Sequence, residues 1–189
     1  MIRVWGQSRI PRPLFNQNDV PCAAGQLGLP RCFFGNVHGT VTVVIMQGAR
    51  DIELLEVFSV ARETGALVMV HAENYDAIRF LTERLERAGK TAPRFHATSR
   101  PIAVEREATH RAISLAELVD VPIMIVHVSN GEAMEQIRWA QQRGLKVFGE
   151  TCPQYLVLTE QDLDGLNMEG AKYVCSPPPR DRESQEACW

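Results

Sequence analysis

A chain of 189 residues, 45% hydrophobic and 23% charged, has the make-up of a globular protein and enough length for one sizeable core. Its net charge of −3 supplies no basic field for nucleic acid, and no run of about 18 apolar residues is present to span a bilayer. The stretch around Arg3 and Arg9 lacks the apolar core of a cleaved secretory signal, and the five cysteines (Cys22, Cys32, Cys152, Cys175, Cys188) are odd in number, scattered and without a CxxC pair, so a cytoplasmic protein with reduced thiols is expected.

Composition changes near residue 50. Before it there is no Lys or Glu and only Asp19 among acids; after it come regular blocks rich in Glu, Arg, Ala and Leu. Residues 1–39 receive no assignment, and "TVTVVIM" (40–46) reads as a strand before the first helix. "DIELLEVFSVARET" (51–64) places Ile52, Leu55, Val57, Phe58 and Val60 near one helical stripe, with Gly65 as its stop. "ALVMV" is a short apolar run of the kind buried on both faces of a parallel sheet. A helix is predicted from about Asp76 to Ala88, ended by Gly89, then a loop bracketed by Pro93 and Pro101. "IAVEREATHRAISLAELV" reads as a helix, "PIMIVHV" as a buried strand, "GEAMEQIRWAQQRG" as a helix stopping at Gly144, and "LKVFGE" as a third strand after the first helix.

Strands alternating with helices predict an α/β fold of parallel strands and crossovers. His71, His127 and Glu150 all fall where a strand runs out, which favours a (β/α)8 barrel, whose chemistry gathers at the C-terminal strand ends. A complete barrel takes about 250 residues, so the expectation is a partial (β/α)8 TIM-type barrel.

Imidazole is a good ligand for zinc and similar ions, and a barrel assembles such ligands one or two per strand. His71 and His127 fit that template as metal ligands, and equally fit hydrogen-bonded strand-end residues. His96, in the proline-bracketed loop, and His110, beside Arg111, read as water-facing or locally bonded; His38 has no partner at ligand spacing. Glu73 and Glu150 are positioned to act as bases or to orient ligands, or simply to cap a helix or pair with an arginine. Ser176 precedes three prolines in "VCSPPPRD", a stiff loop that either holds polar groups for a substrate or merely turns the chain. No nucleophile elbow, P-loop or GxGxxG is present.

Taken together and in order, "GALVMVHAEN", "HATSRP", "EREATHRAI", "IVHVS", "GETCPQYL" and "EGAKYVCSPPPRD" resemble the hydantoinase and dihydropyrimidinase branch of the metal-dependent cyclic amidohydrolases. The likeness runs from about residue 51 to 189 and leaves residues 1–50 as an atypical N-terminal segment. "TCPQYL", with Gln154, is similar to hydantoinases, whereas allantoinases and dihydroorotases tend to read TCPHYL.

The resemblance implies an amidohydrolase barrel with two divalent ions, usually zinc, whose activated hydroxide opens a hydantoin or dihydropyrimidine ring at a C–N bond. It implies His71 and His127 as ligands of the more exposed metal, Ser176 as the residue whose backbone holds the cyclic amide or imide, and a homo-oligomer for the intact protein. The family's HxH pair is absent from the chain, the bridging lysine's place falls at Val43, and the family's aspartate has no counterpart before Trp189. The chain thus carries two of six family ligands and no assigned catalytic residue, which fits a truncated or frame-shifted fragment that is inactive alone. A non-catalytic dihydropyrimidinase-like assembly protein is the alternative from another class.

Overall fold

A computed structural model of the chain describes residues 48–189 and the backbone of two earlier strands, β1 (Cys32–Val37) and β2 (Thr40–Ile45). His38 and most of the atypical N-terminal segment lie outside the described residues. The predicted strand at 40–46 is β2; β1, which the sequence did not disclose, pairs antiparallel with it.

From residue 51 onward the alternation is as expected. Helix α1 (Asp51–Thr64) is followed by β3 (Leu67–Val70), α2 (Tyr75–Arg87), the short α3 (Arg94–Thr98) and α4 (Ile102–Val119). Then come β4 (Ile123–Ile125), α5 (Gly131–Gln142), β5 (Val147–Gly149), α6 (Pro153–Val157), two 3-10 segments (Glu160–Leu163 and Leu166–Tyr173) and α7 (Arg182–Cys188). The proline-bracketed loop is therefore partly helical, a difference from the sequence reading. Among the described residues, no helix is long and apolar enough to cross a membrane.

Local chemistry explains the boundaries. Helix α1 begins where the Glu53 carboxylate accepts from the Arg50 backbone N–H at 2.7 Å, and it ends at Gly65, whose φ of 69° a residue without a Cβ adopts freely. Helices α2 and α5 start at asparagine caps: Asn74 accepts from the Ala77 N–H at 3.0 Å and Asn130 from the Ala133 N–H at 2.9 Å.

The sheet order is β1-β2-β3-β4-β5, so the parallel strands β2 to β5 neighbour one another in chain order. Helices α1, α4 and α5 pack on one face of this sheet. Leu54, Val57 and Phe58 of α1, Ala112 and Ile113 of α4, and Ile137 of α5 close over Val68, Val70, Ile123, Ile125 and Val147. The expectation that β3 is buried on both faces needs correction. Val68 and Val70 are buried whereas Leu67 and Met69 are only half-buried, because the helices cover one face alone.

Register levels the strand ends: Val70 pairs with Ile125, and Ile125 with Gly149. His71, His127 and Glu150 therefore leave the sheet along the same C-terminal edge.

Candidate functional site

Each histidine is delivered by the same short device. In "HAEN" and "HVSN" a histidine at a strand end is followed three residues later by the asparagine that caps the next helix. The cap fixes where the helix begins, and the two intervening residues fix how far the imidazole stands from it. This H-x-x-N repeat was legible in the sequence but was not used there.

The structure brings His71 and His127 together. His71 Nδ1 lies 2.8 Å from His127 Nε2, and the rings meet edge-on with centroids 4.6 Å apart and planes at 72°. The outer nitrogens, His71 Nε2 and His127 Nδ1, are buried with no hydrogen-bond partner. Burial, reinforced by the neighbouring His71, lowers the His127 pKa to about 4, so its imidazole is neutral and keeps a lone pair at neutral pH.

The backbone at His127 is held in an unusual shape. Its φ of 47° is left-handed, which costs a non-glycine residue about 1 kcal/mol. The Glu150 carboxylate accepts from the His127 N–H at 3.2 Å, and Thr151 Oγ1 donates to Val128 O at 2.8 Å. Glu150 thus anchors the turn that aims the imidazole, rather than capping a helix or pairing with an arginine. His127→Gly is expected to be about 1 kcal/mol more stable than His127→Ala in urea unfolding, since both lose the ring but only glycine sheds the strain. Equal stability of the two would show that the segment relaxes.

His96, read as water-facing or locally bonded, makes a local bond to Arg100 and also a long-range one that brings it to the Ser176 segment. Its Nε2 donates to Cys175 O at 2.8 Å and lies 3.3 Å from Ser176 Oγ, while Arg100 Nη1 donates to Nδ1 at 3.2 Å. Burial, then the Arg100 charge, lowers the His96 pKa, which keeps it a neutral donor to that carbonyl. On the other side, Tyr155 Oη donates to Pro177 O at 2.8 Å. Both carbonyls flanking Ser176 are thereby engaged, while among the described residues Ser176's own backbone groups are not. His96 went unrecognised because its partner lies 79 residues away and no local pattern announces it. His110 is exposed, as its water-facing reading has it, and bonds Gln136 Oε1 at 3.0 Å, 26 residues along the chain.

Glu73 links the two halves. Its side chain is wholly buried, neither oxygen has a hydrogen-bond partner, and His71 Nε2 approaches Oε2 to 3.2 Å without hydrogen-bond alignment. Glu73 lies within electrostatic range of His127, His96 and Cys175.

Whether this set suits a metal can be judged from the geometry. Imidazole nitrogens bind zinc at about 2.0–2.1 Å, which in a tetrahedron places two of them about 3.3 Å apart. The observed 2.8 Å pair needs to open by only about 0.5 Å, and its two inner nitrogens already face one another. Among the described residues no group of three or more His, Cys, Asp or Glu is arranged to hold a metal ion. The spacing of His71 and His127 is compatible with two ligands of one ion, and no third ligand is grouped with them among the described residues.

No family model matches the chain. It is 50% identical over 139 residues to the D-hydantoinase of Rhizobium radiobacter, covering 74% of this chain and 30% of that protein. It is likewise 50% identical over 141 residues to the D-hydantoinase of Geobacillus stearothermophilus, covering 75% and 30%. A solved D-hydantoinase superposes with a TM-score of 0.74 at 48% identity, covering 77% of this chain and 31% of the other. The dihydropyrimidinase of Brevibacillus agri NCHU1002 gives 0.74 at 46%, with the same coverage. The chain spans about a third of the length of these relatives. Over the 74% of its length that is matched, the chain belongs to the hydantoinase and dihydropyrimidinase family.

Proposed function

We propose that residues 51–189 are part of the (β/α)8 barrel of a cytoplasmic, homo-oligomeric cyclic amidohydrolase that opens hydantoin or dihydropyrimidine rings by hydrolysis of a C–N bond, and that residues 1–50 stand outside the family segment. The observation that carries this reading is the convergence of His71 Nδ1 and His127 Nε2 at the C-terminal edge of consecutive parallel strands.

In this reading His71 and His127 hold one divalent ion, zinc by the chemistry of the donors. Such an ion, when bound, polarises a ring carbonyl and acidifies water beside it. The chain's own residues do the rest. Burial keeps His127 unprotonated and able to bind; Glu150 fixes the turn that carries it. His96 and Tyr155 hold the carbonyls on either side of Ser176, leaving its backbone N–H and C=O to pair with the amide edge of a planar ring. That pairing would fix the orientation of the ring.

The purified 189-residue chain should bind cobalt(II), with His71→Ala or His127→Ala weakening it by about 100-fold or more, since a lost ligand exceeds the 10–100-fold effect of outer contacts. Hydantoin should shift the Ser176 amide resonance. Steady turnover is not expected, because catalytic zinc sites usually take three protein ligands. Cobalt binding indifferent to both histidines would overturn the assignment.

A further inference from the structure

A cavity of about 280 Å³, lined by neither His71 nor His127, lies between the C-terminal half of α2, the short α3 and the second 3-10 segment. Its size is near the lower end of the range of about 300–1,000 Å³ that small-molecule sites occupy. Much of the wall is apolar. Leu85, Phe95, Met168, Ala171 and Val174 line it, and Met168 and Val174 stand 58% and 40% exposed, so this apolar surface is open to a molecule from outside.

Two cations, Arg100 and Lys90, share that wall with one carboxylate, Glu86, while burial keeps His96 neutral. Neither cation is engaged by a carboxylate among the described residues. Arg100 Nη1 donates to two uncharged groups, His96 Nδ1 at 3.2 Å and Ser99 Oγ at 2.8 Å, and its Nε is buried with no partner. Lys90 Nζ lies 5.8 Å from the centre of the Phe95 ring. Burial disfavours the Arg100 charge; the Glu73 carboxylate offsets this in part without a direct bond, and Arg180 opposes it. A partly buried guanidinium with no bound anion is costly, and its planar fork matches a carboxylate at two points.

We infer that this cavity is a binding site for a small monocarboxylate with a compact apolar body, an aromatic or branched-chain acid, its carboxylate on Arg100 and Lys90 and its body against Leu85, Phe95 and Val174. Two cations against one acid leave a single positive charge, which a monoanion matches and a phosphate dianion overshoots. The apolar wall requires a body as well as a headgroup, because a bare anion leaves that surface against water. The inference stands apart from the metal and ring readings, since none of their residues supplies its charge.

The test titrates the full 189-residue chain with sodium benzoate and follows the 15N–1H signals of the backbone and of the arginine side chains. Benzoate should saturate in the millimolar range, shifting the Arg100 Nε signal together with the Leu85 and Val174 amides. Benzamide, with the same ring and no charge, should bind about 10-fold or more weakly, and Arg100→Gln should weaken benzoate by a like factor, since a hydrogen bond to a charged group is lost. Arg100 also bonds His96, so a second variant keeps the outcome decisive if Arg100→Gln does not fold. Ala171→Trp alters an exposed residue of the wall, leaves Arg100 in place and should abolish binding by filling the cavity. Equal affinity for benzoate and benzamide, inorganic phosphate bound as tightly as benzoate, or full affinity in Ala171→Trp would each overturn the inference. So would shifts confined to the Ser176 amide, which would place the acid in the proposed ring site instead.

Discussion

Arg180→Met is expected to destabilise the chain by about 3–5 kcal/mol in urea unfolding, because it leaves a buried carboxylate without its cation. Glu105 and Arg180 are 2% and 6% exposed. Glu105 Oε2 accepts from Arg180 Nη2 and Asn130 Nδ2, each at 2.8 Å, and from Ser129 Oγ; Oε1 accepts from the Ser129 N–H at 2.9 Å. Arg180 Nε donates to Ser129 Oγ at 2.8 Å, and Nη1 donates to Arg100 O. Every strong acceptor and donor is matched, so removing one partner exposes the desolvation cost of the other. Glu105→Leu combined with Arg180→Met should lose markedly less than the two single losses added together, because no charge is stranded in the pair. Additive losses would show that solvent reaches the site. The network also binds the turn just after His127 to the segment just after Ser176, so the Arg180→Met chain should report at both places.

The elements of this fold were legible because their signals are local. Gly65 and Gly144 stop their helices with φ of 69° and 82°, as their positions after periodic runs predict, and the helix expected at 76–88 runs Tyr75–Arg87. Apolar runs located the strands but not their ends. "PIMIVHV" suggests strand through residue 128, yet β4 stops at Ile125, since the chain turns left-handed at His127 under the pull of Glu150. Nothing in a run of valines and isoleucines encodes a carboxylate 23 residues away. Glu105 shows the same limit more sharply: on a helix rich in charge it reads as a solvated residue, and its partner Arg180 is 75 residues distant. His71, His127 and Glu73 were visible because strand ends in a barrel-like alternation are where such groups are sought; what could not be read was that the Glu73 carboxyl is buried without a hydrogen-bond partner.

Phe58→Ala is the second large effect, expected to cost about 3–5 kcal/mol, with Phe58→Leu near 1 kcal/mol. Phe58 has no exposed surface and lies in one cluster with Val68, Ile113 and Ile123, which are equally enclosed. Truncation removes the largest of the side chains that join α1 to the sheet, and well-packed neighbours collapse only partly into the space. A loss of this size is a large share of the 5–15 kcal/mol that holds a typical domain together. It also bears on the site, since β3 ends at Val70 and the next residue is His71. A loosened α1 removes the support that keeps β3 in register with β4, and that register sets the 2.8 Å approach of the two imidazoles. Urea unfolding measures the first consequence, and broadening of the His71 and His127 ring signals in the still-folded variant measures the second. A Phe58→Ala chain of unchanged midpoint would mean that the helix layer contributes little to holding the strand edge where the histidines meet.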